Sequence, residues 1–422
     1  MLLGKVKSLR VAFDGEHGVA ASAVFTSGDL VSGRVLLEAA GSVRVRSLRL
    51  MARGHARVHW TESRNAGSNT AYTQNYSDEL DFFNHREAII EPGADDEEED
   101  GAVLQPGRHE FAFNFQLPQG PLATSFEGKY GFIRYWVKVE LGRPWALVQK
   151  VKTEFTVIDQ VDIGTPELMA PAGGTKEKTL CCWLCTSGPI SLSAKIQRKG
   201  YCPGESIPIH AEIENCSSRP IVPKAAIYQT QIFCAKGKQK PVRQLVTNLR
   251  GEPVPPGRTD VWNGRLLKIP PVSPSILVCS LIRVQYELLL IAEASRQVYL
   301  DIPGALQLSL SLPLVVGTVP LHGFGSRTSS VSSQGSFDIH CLRITLPESP
   351  EEPPNYAEAL RGEEPVAVSA VERCSDEFSG VLIHPMYAYV QEFRFQPPPL
   401  YSEGSHWWRT AHQKQSKVLD CG

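Results

Sequence analysis

Period-two alternation of apolar residues runs through the first three quarters of the chain and leaves few folds open to it. In HEFAFNFQLP, Phe111, Phe113, Phe115 and Leu117 fall on one face. In GFIRYWVKVEL the set is Ile133, Tyr135, Val137, Val139 and Leu141. VRVRSLRL, ISLSAKI, IPIHAEIE and LQLSLSLPLVV follow the same pattern. Successive side chains of a strand point to opposite faces, so each segment buries one face and wets the other. Turns bearing Gly and Pro separate the segments. LRLMARGHARVHW invites a helical reading, but its alternating, β-branched neighbours favour a strand. The pattern predicts an all-β fold of the sandwich type.

An internal echo divides the pattern in two. FTSGDLVSGRVLLE begins at Phe25, and YCPGESIPIHAEIE begins at Tyr201, 176 residues later. Each runs aromatic, then glycine (Gly28, Gly204), acid (Asp29, Glu205), apolar residue (Val31, Ile207) and a closing Glu (Glu38, Glu214). The shared logic is a turn that needs glycine, with a strand leaving it. A chain of 422 residues also exceeds what one core supports, since cores stop growing near ~250–300 residues. Two related sandwiches in tandem are therefore predicted, over residues 1–165 and 189–320. Residues 166–188 read as a linker: TPELMAPAGGTKEKT carries Pro, Gly and charge without periodicity. Residues 321–422 are rich in Pro, Ser and Glu and read as a disordered tail. The acidic run at 95–100 repels itself and reads as a solvated loop of the first sandwich.

Several function classes fall away. The net charge of −2 provides no global field for nucleic acid. The N-terminus lacks the apolar core of a secretory signal. SILVCSLI, at residues 275–282, is under half a membrane span. A cytoplasmic location is expected, with the ten cysteines mostly reduced. Cys181, Cys182 and Cys185 form a CxxC, but Cys202 and Cys216 are single and too widely spaced for a zinc ribbon. No phosphate-binding loop, nucleophile elbow or zinc-protease motif is present. His59 and His109 sit in strand-like segments and read as structural or surface residues. No catalytic residue, metal site or cofactor is expected. Arg44, Arg46, Arg49, Arg53 and Arg57 read as a solvated sheet face, with a patch for acidic cargo or lipid headgroups as the alternative. Lys236, Lys238 and Lys240 read as a charged hairpin tip. Thr328, Ser329, Ser330, Ser332 and Ser333 resemble a kinase target.

The tail carries the most specific signal. Pro353-Pro354-Asn355-Tyr356 and Pro398-Pro399-Leu400-Tyr401 both fit PPxY. Two prolines pre-set a polyproline II turn, so little entropy is lost on docking in an aromatic groove. The tyrosine lies one turn after the first proline and fills a neighbouring pocket, the grammar of a WW-domain ligand. Residues 347–422 hold nine prolines and four tyrosines, for which random placement gives about 0.05 matches. Two are present, each followed by a small residue and Glu. Tyr356 and Tyr401 are 45 residues apart, roughly 35–40 Å for a flexible chain, so two WW domains of one partner could be engaged.

SLSAKIQRKGYCPGESIPIHAEIEN, RPIVPKAAIYQTQ, IPPVSPSIL, LPLVVGTVPLHGFGSRTSS and YVQEFRFQPPPLYSE resemble the α-arrestin family. VHWTESR, FEGKYG and RYWVKVEL in the first domain do so as well. The resemblance implies two arrestin-type, immunoglobulin-like sandwiches and an adaptor role. The sandwiches would bind membrane receptors or transporters. Pro353, Pro354, Tyr356, Pro398, Pro399 and Tyr401 would recruit NEDD4-family HECT ubiquitin ligases through their WW domains. Cargo ubiquitination, endocytosis and endosomal sorting would follow, with the chain peripheral at the plasma membrane and endosomes. A trafficking scaffold without ligase recruitment is the alternative. Residues 287–297 depart from the family pattern and are expected to bulge or disrupt their strand. The end after Glu403 also departs from it. One member's thioredoxin contact uses a cysteine near a Trp; Thr259-Asp260-Val261-Trp262 has none, so that contact is not carried over.

Overall fold

The structure is a computed structural model and describes residues 6–14, 23–65, 71–91, 102–179, 188–294 and 307–321. The first domain contains β1 (Val6–Phe13), β2 (Val24–Phe25), β3 (Leu30–Ala39), β4 (Val43–Val45), β5 (Ser47–Asn65), β6 (Ala71–Ile90), β7 (Ala102–Leu104), β8 (Gly107–Gln116), β9 (Phe126–Gly128), β10 (Gly131–Gly142) and β11 (Gln149–Val157). A one-turn helix, α1 (Pro166–Met169), leads to the second domain. There follow β12 (Ala172–Thr179), β13 (Pro189–Ile196), β14 (Gly200–Tyr201), β15 (Ser206–Asn215), β16 (Ile221–Ala235), β17 (Lys238–Arg250), β18 (Arg258–Lys268), β19 (Ile282–Ala294) and β20 (Gln307–Val316).

Each domain packs two sheets face to face. The first pairs β1-β3-β8 against β2-β11-β10-β5-β6, with β9 on β10 and a small β4-β7 ribbon. The second pairs β12-β13-β15-β18 against β14-β20-β19-β16-β17. The alternation explains the layering. Ile133, Tyr135, Val137, Val139 and Leu141 of β10 are fully buried, as are Leu48, Ala52, Ala56 and Val58 of its neighbour β5. Phe113 and Phe115 of β8 close the core from the facing sheet, and Phe111 is partly buried against it. LRLMARGHARVHW lies within β5 as a strand.

The sequence echo is a repeated structural corner. Gly28 and Gly204 adopt φ of +79° and +89°, where a Cβ would be strained. Asp29 accepts the Thr26 N–H at 2.6 Å, and Glu205 accepts the Cys202 N–H at 2.6 Å. The short strands just before these turns, β2 and β14, each pair in parallel with the last strand of their own domain. Ser125 exchanges hydrogen bonds with the backbone of Val157, and Ser275 does the same with Val316, all at 2.8–3.0 Å. The buried hydroxyl of Tyr135 donates to the Ala123 carbonyl, and that of Tyr286 donates to the Ser273 carbonyl. The two sandwiches repeat one plan in these corners and in the strand orders β1-β3-β8 and β13-β15-β18, while β12, β9 and the β4-β7 ribbon are unmatched.

Two expectations are corrected. The segment read as a linker contains β12, which pairs along its whole length with β13. It is an edge strand whose one buried residue is Ala172, so its AGGTKEKT sequence carries no apolar period. Residues 287–294 neither bulge nor break the sheet. They extend β19 with unbroken register to β16 and β20, because Leu288, Leu290, Ala292 and Ala294 alternate inward like any core strand. Residues 295–297 lie outside the described residues, as does the acidic run at 95–100.

Alanine at Gly28 or Gly204 is expected to cost about 1–2 kcal/mol of domain stability, and Asn less, since only the turn's left-handed backbone is at stake. Urea midpoints of the single variants check this.

Candidate functional site

The two domains meet where their closing strands end. Past β11, Val161 donates its N–H to Thr318 Oγ1 at 2.8 Å, and that hydroxyl donates to the Asp159 carbonyl at 2.7 Å. The Val161 carbonyl accepts the N–H groups of Thr318 and Val319, and Val319 returns an acceptor to Ile163. Ile163 is fully buried. A Cβ on Gly317 would fall 2.4 Å from Ile163 Cγ2 and 2.7 Å from the Val161 carbonyl, so only glycine allows this approach.

A second contact lies where the β9–β10 turn meets the β16–β17 hairpin. Tyr130 packs edge-on against Phe233 at 5.7 Å, and Gly128 leaves room for the Phe233 ring. Lys240 reaches Glu62 at 3.5 Å and lies 5.9 Å from the Tyr130 ring, while Lys236 donates to the Asn75 carbonyl at 3.5 Å. The charged hairpin tip therefore touches the other domain. Exposed pairs of this kind each add little, so the apolar and backbone contacts carry the seam.

Burial at this seam raises the Asp159 carboxyl above its usual range. Asp159 is also tied by its N–H to Thr124 Oγ1 at 2.9 Å.

The arginine run lies on and just before β5, an interior strand of its sheet. Arg49, Arg53 and Arg57 share the outer face of β5, and Arg44 and Arg46 are exposed beside it. Arg53 is held by Glu79 at 2.8 Å and by Asp81. His55, missed by the sequence reading, is 8 % exposed between Phe132 and Trp136. Burial, then the Arg53 charge, lowers its pKa, so it is neutral there. His59 is exposed on the same face, and His109 sits 2.7 Å from the Gln105 carbonyl. Cys202, Cys216, Cys234 and Cys279 are free thiols, and burial pushes Cys202 and Cys279 up and keeps them protonated. Among the described residues, no group of three or more His, Cys, Asp or Glu side chains is placed to hold a metal ion.

The sequence-predicted binding residues Pro353, Pro354, Tyr356, Pro398, Pro399 and Tyr401 lie outside the described residues. Cys181, Cys182, Cys185 and the Ser/Thr cluster at 328–333 do too. The described chain ends at Leu321, two residues past Val319, whose bridge to Asp162 belongs to the seam. The tail therefore departs from the junction of the domains. Nothing in the sequence flagged Asp159, Gly317 or Thr318, because backbone approach leaves no apolar period.

A raised carboxyl pKa means the folded state disfavours the ion, so this group's contribution is best below its unfolded pKa and is lost as pH rises through the folded one. Asp159→Asn is expected to raise the melting temperature at pH 7–8, with the gain shrinking to nothing near pH 3–4. Calorimetry across that range measures it.

Comparison with known proteins accords with this geometry. Residues 9–164 match the model of the Arrestin (or S-antigen) N-terminal domain, and residues 186–321 match that of the C-terminal domain. The chain is 51 % identical over 402 residues to arrestin domain-containing protein 4 of Homo sapiens, covering 95 % of this chain and 92 % of that protein. The Mus musculus protein of that name is 51 % identical over 406 residues, covering 95 % and 93 %. Thioredoxin-interacting protein of Homo sapiens is 37 % identical over 404 residues, covering 96 % and 97 %. A finer likeness to arrestin domain-containing protein 2, suggested by the sequence motifs, is not among what these matches show. With both arrestin domains matched and their duplicated corners in place, the chain belongs to the α-arrestin family.

Proposed function

We propose that the chain is an adaptor that brings HECT-type ubiquitin ligases of the NEDD4 family to membrane receptors or transporters. The observation that carries this reading is the pair of PPxY motifs, at Pro353-Pro354-Asn355-Tyr356 and Pro398-Pro399-Leu400-Tyr401, behind two arrestin domains. The motifs supply the ligase contact through WW domains, and the sandwiches supply surface for cargo. The ligase does the chemistry; this chain supplies proximity, converting a bimolecular encounter into one at high effective concentration. Ubiquitination then marks the cargo for endocytosis and endosomal sorting, with the chain peripheral at the plasma membrane and endosomes.

Two handles gain more than one. When both engage linked WW domains, apparent affinity exceeds either alone by about 10²–10⁴. Pull-down of the full chain with tandem WW domains is expected to succeed, to persist in weakened form in Tyr356→Ala or Tyr401→Ala, and to vanish in the double variant. Capture of the double variant at wild-type level would leave a trafficking scaffold that recruits no ligase.

A further inference from the structure

We propose that Gln244, Gln231, Gln229 and Tyr286 form a buried strut that couples the two contacts of the seam, so that opening one loosens the other. This goes beyond the adaptor reading and does not depend on it.

β16 and β17 carry three glutamines into the core of the second domain. Gln229 is 0 % exposed, Gln231 1 % and Gln244 4 %. Inward positions of a sandwich ordinarily hold apolar side chains, because a buried amide gives up its water. Here the amides bond to one another. Gln231 Nε2 donates to Gln229 Oε1 at 2.8 Å and to Gln244 Oε1 at 3.4 Å. Gln229 Nε2 donates to the Tyr286 hydroxyl at 2.6 Å, and that hydroxyl donates to the Ser273 carbonyl. Gln231 Oε1 has no hydrogen-bond partner among the described residues, so the network forgoes stability that an apolar core would keep.

The first domain shows that the fold does not require such a chain. Tyr135 pairs with Gly54 as Tyr286 pairs with Gln229. Gly54 pairs in turn with Phe83, as Gln229 pairs with Gln244. Ala56 stands opposite Ile133 as Gln231 stands opposite Val284. The three glutamine positions are thus Gly, Ala and Phe in the other copy. The Tyr135 ring stacks there with Phe82 and Phe83 at 5.9 and 6.2 Å. Its hydroxyl also reaches a carbonyl, that of Ala123, but Gly54 and Ala56 have no polar side chain to continue the chain. The polar core of the second domain therefore has a local reason.

That reason lies at the ends of the chain. Gln231 is two residues from Phe233, which packs on Tyr130, and Gln244 is four residues from Lys240, which reaches Glu62. Both belong to the hairpin contact with the first domain. At the other end, Ser273 lies two residues before Ser275, which exchanges hydrogen bonds with Val316. Val316 adjoins Gly317 and Thr318, the crossing contact. A hydrogen bond fixes both distance and direction, and buried networks rigidify what they join. The chain thus runs inside the second domain from one contact of the seam to the other.

Native-state hydrogen exchange of the full chain tests the coupling. The Val319 N–H donates to the Val161 carbonyl and the Ile163 N–H to the Val319 carbonyl, so these two amides report the crossing contact. Phe233→Ala opens the hairpin contact. In the wild-type background it is expected to speed exchange of both amides by about fivefold or more, relative to the β19 amides that report global opening. In Gln229→Leu/Gln231→Leu/Gln244→Leu the same substitution is expected to change them by less than about twofold. The melting temperature of the Leu variant should stay at or above the wild-type value, because an apolar replacement of a buried polar network is neutral or stabilising. Tyr286→Phe removes one oxygen from the middle of the chain and should uncouple the contacts likewise; it decides the matter if the Leu variant fails to fold. Equal responses in the wild-type and uncoupled backgrounds, or no response to Phe233→Ala in the wild type, would overturn the proposal. A lower melting temperature with the fivefold response retained would make the chain structural alone and overturn it too. WW-domain capture is expected to be unchanged in all of these variants, so the strut and the adaptor reading fail separately.

Discussion

The approach of Gly317 to Ile163 is the contact on which the two-domain architecture rests. Two chains of backbone cross there, one leaving β11 and one leaving β20, and a single methyl group would not fit between them. Thr318 then satisfies a donor and an acceptor from the 159–161 segment with one hydroxyl. Buried backbone groups need such partners, because leaving one unpaired costs about 1–3 kcal/mol. Both crossing segments directly follow the closing strands, β11 and β20, against which the duplicated corners pair. The internal repeat thus places equivalent strand ends side by side, and the seam uses that placement.

The seam's contacts give the adaptor reading its physical sense. In that proposal, a surface for cargo and a tail for a ligase have to stay within reach of one another. The described chain ends at Leu321, two residues past the seam's Asp162–Val319 bridge. In that reading the double sandwich acts through its surfaces. Its buried tyrosines, Tyr135 and Tyr286, are spent on carbonyls of their own domains, and burial raises both far above the ordinary phenol value.

Much of the fold was legible because strands that bury one face write that fact into every second residue. β8, β10, β13, β15 and β20 were visible in this way. The corners were visible because a left-handed turn needs glycine and its N–H groups need an acid. β12 was not, since an edge strand of Gly, Lys and Glu buries almost nothing. The continuation of β19 was misjudged because residues 287–294 departed from a family pattern, although Leu288, Leu290, Ala292 and Ala294 alternate as a core strand must. The PPxY motifs are local grammar, readable without a fold.

The geometry of the seam predicts that the two sandwiches move as one body, held by the 317–319 and 159–163 segments. Spin labels introduced as unnatural residues at Asn114 and Glu212, exposed on one strand of each domain, report it by pulsed electron resonance. One narrow distance distribution is expected for the wild-type chain, broadening in Gly317→Val as the added side chain forces the segments apart. A broad wild-type distribution, or one that the substitution leaves unchanged, would mean that this seam does not hold the domains together.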